Sequence, residues 1–165
     1  MTHASVPSLE LLHRGDEPLF PPGASVGRAV DLKERAAQYA ASEAAAGLAD
    51  HELIGSATGR AVKQALADAD VEISDIARVT HMNWAHERFL RRTLAPLGLE
   101  TWRGTLEFSR SVGHLGAGDQ IAGLDHLLET GSLGPGDHVL MIGVGTGISI
   151  SCVVLRVEER PGWVA

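Results

Sequence analysis

The residues whose types and spacing could do chemistry are His114 and Asp119, followed by His81 and Asn83. His114 lies in the run Gly113-His114-Leu115-Gly116-Ala117-Gly118-Asp119. Glycines on either side permit backbone shapes closed to other residues and let a substrate approach closely. Asp119 falls at the start of a predicted helix, where the helix dipole favours negative charge. A loop histidine beside a carboxylate can have its tautomer fixed and its basicity raised, the arrangement of a general base. An ordinary helix cap beside an incidental histidine has the same spacing, and the residues alone leave both readings open. His81 and Asn83 end a predicted strand, beyond whose carboxyl end ligand sites in α/β sheets tend to lie. A histidine that merely ends a strand is the plainer alternative.

Other candidates carry less. Arg88, Arg91 and Arg92 form a small basic helix face, solvated in the ordinary case but suited to docking a phosphorylated or acidic partner. The glycines of Gly143-Val144-Gly145-Thr146-Gly147 suggest a nucleotide loop, but Ile148 stands where a third fingerprint glycine belongs, and β-branched residues follow instead of a helix. A tight turn presenting backbone N–H groups to a site fits better, with a plain hairpin turn as the alternative. Cys152, the only cysteine, sits among apolar residues and reads as buried and inert. There is no Gly-x-Ser-x-Gly elbow. His81, His86, His114 and His126 match no metal-site spacing, so no metal is expected.

These residues need a scaffold. The chain has 165 residues, enough for one domain with a real core. Hydrophobic residues make up 44%, charged residues 21% and aromatics only 4%, so the core must be aliphatic. The net charge of −7 opposes general nucleic-acid binding. A single cysteine, no signal-peptide pattern and no membrane span point to a cytoplasmic protein. Residues 1–28 read as an irregular segment and 29–165 as the domain. Within it the patterns predict helices over 31–47 and 50–69, a strand over 75–82, and a helix over 84–97. A short strand-like stretch over 105–108, a helix over 120–130, and strands over 138–142 and 148–157 complete the order. This implies an α/β layered domain whose mixed sheet ends in an antiparallel pair.

From Ile76 to Arg156 the chain resembles the C-terminal half of ketoacyl-acyl-carrier-protein synthase III, a thiolase-fold family. Thr80-His81-Met82-Asn83-Trp84 resembles the family's strand ending in a catalytic histidine followed by Asn. The 113–119 run occupies the place of the family's Gly-Asn-Thr-Ser-Ala-Ala-Ser motif. The Gly134-Pro135-Gly136-Asp137 turn and the glycines at 143–147 follow in family order. His114 replaces the family's Asn, and the Gly-His-x-Gly-Ala-x-Asp-Gln pattern is similar to synthase-III-like acyltransferases of antibiotic and polyketide pathways. The resemblance implies a C-terminal repeat of the thiolase-like fold. It makes His114 the base, Asp119 its orienting carboxylate and His81 a group that polarises the acyl carbonyl. Asn83, Arg88, Arg91, Arg92, Gly143, Gly145 and Gly147 are expected on the substrate or carrier side. The implied partners are acyl-carrier protein or acyl-CoA, and an N-terminal half or homologous subunit bearing the nucleophile. No cofactor is expected beyond the coenzyme A or phosphopantetheine carried by the substrate. A partner subunit with only a structural role is the alternative.

Overall fold

The computed structural model describes residues 1–6, 32–41, 50–145 and 148–163. The elements are β1 (Thr2–Ser5), α1 (Leu32–Ala41), α2 (Asp50–Ala69), β2 (Ile76–Thr80), α3 (Glu87–Leu94), α4 (Leu106–Val112), α5 (Asp119–Glu129), β3 (His138–Gly145) and β4 (Ser149–Arg156). The four strands form one sheet in the order β1-β4-β3-β2. The β2–β3 pair is parallel, so the chain must cross over between them through α3, α4 and α5. The β3–β4 and β1–β4 pairs are antiparallel, which makes the expected terminal hairpin.

Strand periodicity sorts the core into two layers. Leu140 and Ile142 of β3, with Ile150 and Cys152 of β4, share a cluster with Ala57, Ala61, Val62, Ala65 and Leu66 of α2. These α2 residues recur at helical spacing, so one stripe of the helix lies on the sheet. Val139 and Met141 alternate with them and pack in a second cluster with Leu127 of α5. Covered on both faces, β3 reads as an unbroken apolar run.

The structure departs from the sequence reading in three places. The stretch read as strand-like at 105–108 opens α4: Ser109 N–H donates to Thr105 O at 2.9 Å, and Gly113, at φ 76°, ends the helix. Leu106 and Phe108 alternate over too short a span to separate strand from helix. The segment read as irregular contains β1, whose residues pair with Ser149 to Cys152; residues 7–28 lie outside the described residues. Finally, β3 runs on to Gly145, so Gly143 and Gly145 belong to the ladder, opposite Ser151 and Ser149, and not to a loop. Gly147 and the end of the first expected helix lie outside the described residues. The helix expected over 84–97 is α3 followed by a 3₁₀ turn at Ala95–Leu97, with Pro96 in its first turn. No helix among the described residues is long and apolar enough to cross a membrane.

Candidate active site

The site forms where β2 ends and α5 begins. A Cβ at Gly123 would stand 3.3 Å from Thr80 Cβ, so the glycine lets α5 lie close against the end of β2. That approach places Asp119, one helical turn earlier, beside the residues that follow β2. Asp119 is fully buried. Its Oδ2 accepts the Asn83 main-chain N–H at 2.8 Å and faces His114 Nδ1 at 2.6 Å. Its Oδ1 accepts the Leu115 N–H at 2.6 Å. Burial alone would push this carboxyl up, but the Asn83 and Leu115 amides and His114 outweigh it and hold it below the ordinary carboxylate value. An ionised carboxylate can only accept, so Nδ1 of His114 carries the proton and Nε2 of the neutral ring is left as the basic lone pair. The His114 side chain is 56% exposed, which keeps that nitrogen accessible.

His81 differs from His114 on both counts. It is buried, and its Nδ1 lies 2.6 Å from Met82 O, an acceptor, so Nδ1 is the donor. Its Nε2 accepts the Thr105 main-chain N–H at 3.1 Å. Burial pushes the imidazole down, more than the Met82 carbonyl and Asp119 raise it. With Nδ1–H given to Met82 O and the Nε2 lone pair taken by the Thr105 amide, His81 has no donor for an acyl carbonyl unless the Thr105 contact breaks and Nε2 takes up a proton. In this arrangement the imidazole ties the end of β2 to the start of α4, beside the cavity that the expected carbonyl-polarising role would use.

Asn83 is buried too, and its amide is occupied at both ends: Nδ2 donates to Gly113 O at 2.8 Å and Oδ1 accepts from Ser109 Oγ at 3.0 Å. Each end of the amide is thus engaged within the protein.

Two cavities meet at His114. The first, about 470 Å³, lies between α2, α3 and β3, with Ile54, Trp84, Phe89, Leu97 and Ile142 in its wall and His81 and Arg92 also lining it. Trp84 and Phe89 stack at 5.1 Å between centroids. Gly55 lines the same space, and a Cβ there would meet nothing within 4 Å. Ile148 forms part of the wall at φ 52°, a strained conformation for a β-branched residue. The second cavity, about 440 Å³, is lined by Gln120, Gly143, Gly145, Ser149 and Ser151. His114 and Met82 line both.

Of the expected basic face, Arg88, Arg91 and Arg92 are all exposed, but they part company there. Arg91 pairs with Glu87 at 3.0 Å and Arg88 lies over the Phe89 ring at 4.8 Å, while Arg92 reaches the apolar cavity. Cys152 is buried in β4 and its thiol is pushed up to about 11 by burial.

Sequence reasoning missed Gly104, Thr105, Ser109 and Gly123. Gly104 and Gly123 are visible only as isolated glycines, and nothing near Ser109 in the sequence marks it.

Residues 66–157 match the family described as 3-oxoacyl-[acyl-carrier-protein] synthase III C terminal. Among solved structures, ChlB3, an acyltransferase, is 39% identical over 98% of this chain and 46% of its own, with a TM-score of 0.82. The synthase III (FabH) of Thermus thermophilus is 19% identical over 97% of this chain and 46% of its own, at a TM-score of 0.65. That of Pseudomonas aeruginosa is 22% identical over 69% and 37%, at 0.59. The chain thus spans less than half the length of each of these proteins. No curated protein sequence matches it. The C-terminal thiolase-like half expected from the motifs is the fold observed.

Proposed function

The chain belongs to the 3-oxoacyl-[acyl-carrier-protein] synthase III C-terminal family, and from that premise we propose that it supplies the proton-handling side of an acyltransferase. The observation that carries this is the 2.6 Å contact between His114 and a fully buried, ionised Asp119. An acyl group from an acyl-carrier-protein or coenzyme A thioester is first held on a Cys or Ser of an N-terminal half or homologous subunit. The acceptor's carbon or oxygen then attacks the acyl carbon and gives its proton to His114 Nε2. The bond to the nucleophile breaks, and His114 returns the proton to it. Asp119 stays ionised and stabilises the imidazolium formed in between.

The two cavities suit a division of labour at His114. The apolar one takes the acyl-bearing arm, with Arg92 placed for the phosphates of coenzyme A or phosphopantetheine, and Arg88 and Arg91 add positive charge on the same helix. Gly143 and Gly145 line the second space without side chains to fill it. The occupied nitrogens of His81 favour simple transfer over decarboxylative condensation, which would call on a second histidine. Val112, Leu115 and Ile121 flank the site and are 41%, 49% and 63% exposed, a surface suited to cover by the half that brings the nucleophile.

One observation favours a partner subunit without turnover: the only cysteine is sealed in β4 with its thiol pushed up to about 11, far from the thiolate a nucleophile requires. A mass measurement separates these readings. The chain alone, incubated with an acyl thioester, should gain no acyl group. Fused to the N-terminal part of ChlB3, it should load the acyl group and pass it on. A stable adduct on Cys152 would contradict the proposal, and a fusion that loads but never transfers would favour the partner subunit.

A further inference from the structure

We propose that Asn83 is a positioning residue for His114, holding both members of the His114–Asp119 pair without touching the substrate. The inference rests on the base role proposed above and extends it to a residue whose place the family resemblance put on the substrate side. Neither cavity is lined by Asn83. Two of its polar groups instead reach the pair from two directions. The main-chain N–H grips the carboxylate at 2.8 Å, and Nδ2 grips Gly113 O, the carbonyl immediately before His114, at 2.8 Å. Gly113 at φ 76° is where the chain leaves α4 and turns into the site, so its carbonyl sets the direction from which His114 departs.

The amide is itself oriented. Gly113 O can only accept, which fixes Nδ2 as the donor end, and Oδ1 then faces Ser109 Oγ at 3.0 Å, whose single proton is shared between Asn83 Oδ1 and Thr105 O, 2.8 Å away. Ser109 and Asn83 are both buried, where an unsatisfied amide would be costly, so the arrangement resists rotation. Asp119 receives two further hydrogen bonds from Leu115 and His114, whereas in this network the Gly113 carbonyl is tied down by Asn83. Loss of the side chain therefore releases the histidine more than the aspartate.

The histidine tautomers report on this directly. A free imidazole prefers its proton on Nε2, and the Asp119 contact reverses that preference at His114. His81 is an internal control, because its Nδ1–H and Nε2 partners belong to Met82 and Thr105 and not to Asn83. Long-range ¹H–¹⁵N spectra of the full chain should show Nδ1–H for both rings. In Asn83→Ala the His114 nitrogen shifts should move towards the Nε2–H form or average, while those of His81 stay. Ser109→Ala removes only a hydroxyl and should move His114 the same way to a smaller extent, which decides the matter if Asn83→Ala does not fold. In the ChlB3 fusion, Asn83→Ala should lower kcat roughly 10- to 100-fold with little change in KM, as a small misplacement of the base predicts. A His114 ring that keeps Nδ1–H unchanged in the folded variants would overturn the proposal. So would a wild-type His114 protonated on Nε2. A fusion that is inactive even as wild type would count against the acyltransferase reading, while the tautomers still decide the role of Asn83.

Discussion

Gly104 stands so close to His81 that a Cβ in its place would lie 3.0 Å from Nε2, and 2.8 Å from Leu90 Cδ2. Both neighbours are buried, so neither can swing into solvent to make room. The glycine is what lets the Thr105 amide reach His81 and close the connection between β2 and α4. Gly104→Ala should therefore destabilise the chain by about 1–3 kcal/mol, the usual cost of overpacking a filled core. Urea unfolding checks this. A loss below ~0.5 kcal/mol would show that the neighbours yield freely.

The buried state of His81 fixes the sign of a pH dependence. Its folded value is lowered, so as pH falls below about 6.5 the unfolded chain takes up a proton there that the folded chain refuses. Stability should fall from pH 7 towards pH 5, and His81→Gln should flatten that part of the curve whatever it does to overall stability. An unchanged slope in the variant would place the titration elsewhere. Asp119 acts in a lower window. Its folded value is depressed, so its contribution is present above the ordinary carboxylate value and is lost only as pH drops through and below it.

Thr80 is fully buried, and its hydroxyl has no hydrogen-bond partner among the described residues. A buried hydroxyl without a partner costs free energy that an apolar group of the same shape does not. Thr80→Val should leave thermal stability unchanged or raise it by up to about 1–2 kcal/mol. A marked loss would mean that the hydroxyl is satisfied in solution.

What the sequence made legible follows from how local each signal is. His114 and Asp119 are close in the chain, joined across a glycine-rich turn into a helix start, so their meeting could be expected from spacing. The β3–β4 hairpin and the α2 stripe announce themselves by periodicity. His81 was legible as a residue at the end of a strand but not as an imidazole with both nitrogens held, because Thr105 lies 24 positions away. Asn83 reaches Gly113 and Asp119 across 30 and 36 positions, and tertiary packing such as that of Gly123 on Thr80 brings those segments together. Strand β1 is four residues at a sheet edge, defined by its pairing with β4 and too short to carry a period of its own.

The central claim is that His114 takes the acceptor's proton while Asp119 holds it in place, and single-turnover transfer in the ChlB3 fusion tests it most directly. With the acyl group already loaded, His114→Ala should slow transfer to the acceptor by ~10²–10⁴-fold, the range for loss of a general base, while loading from the thioester, measured separately, is far less affected. Asp119→Asn should slow the same step, since the charge that selects the productive tautomer is gone. A His114→Ala fusion that transfers the acyl group at the wild-type rate would contradict the account.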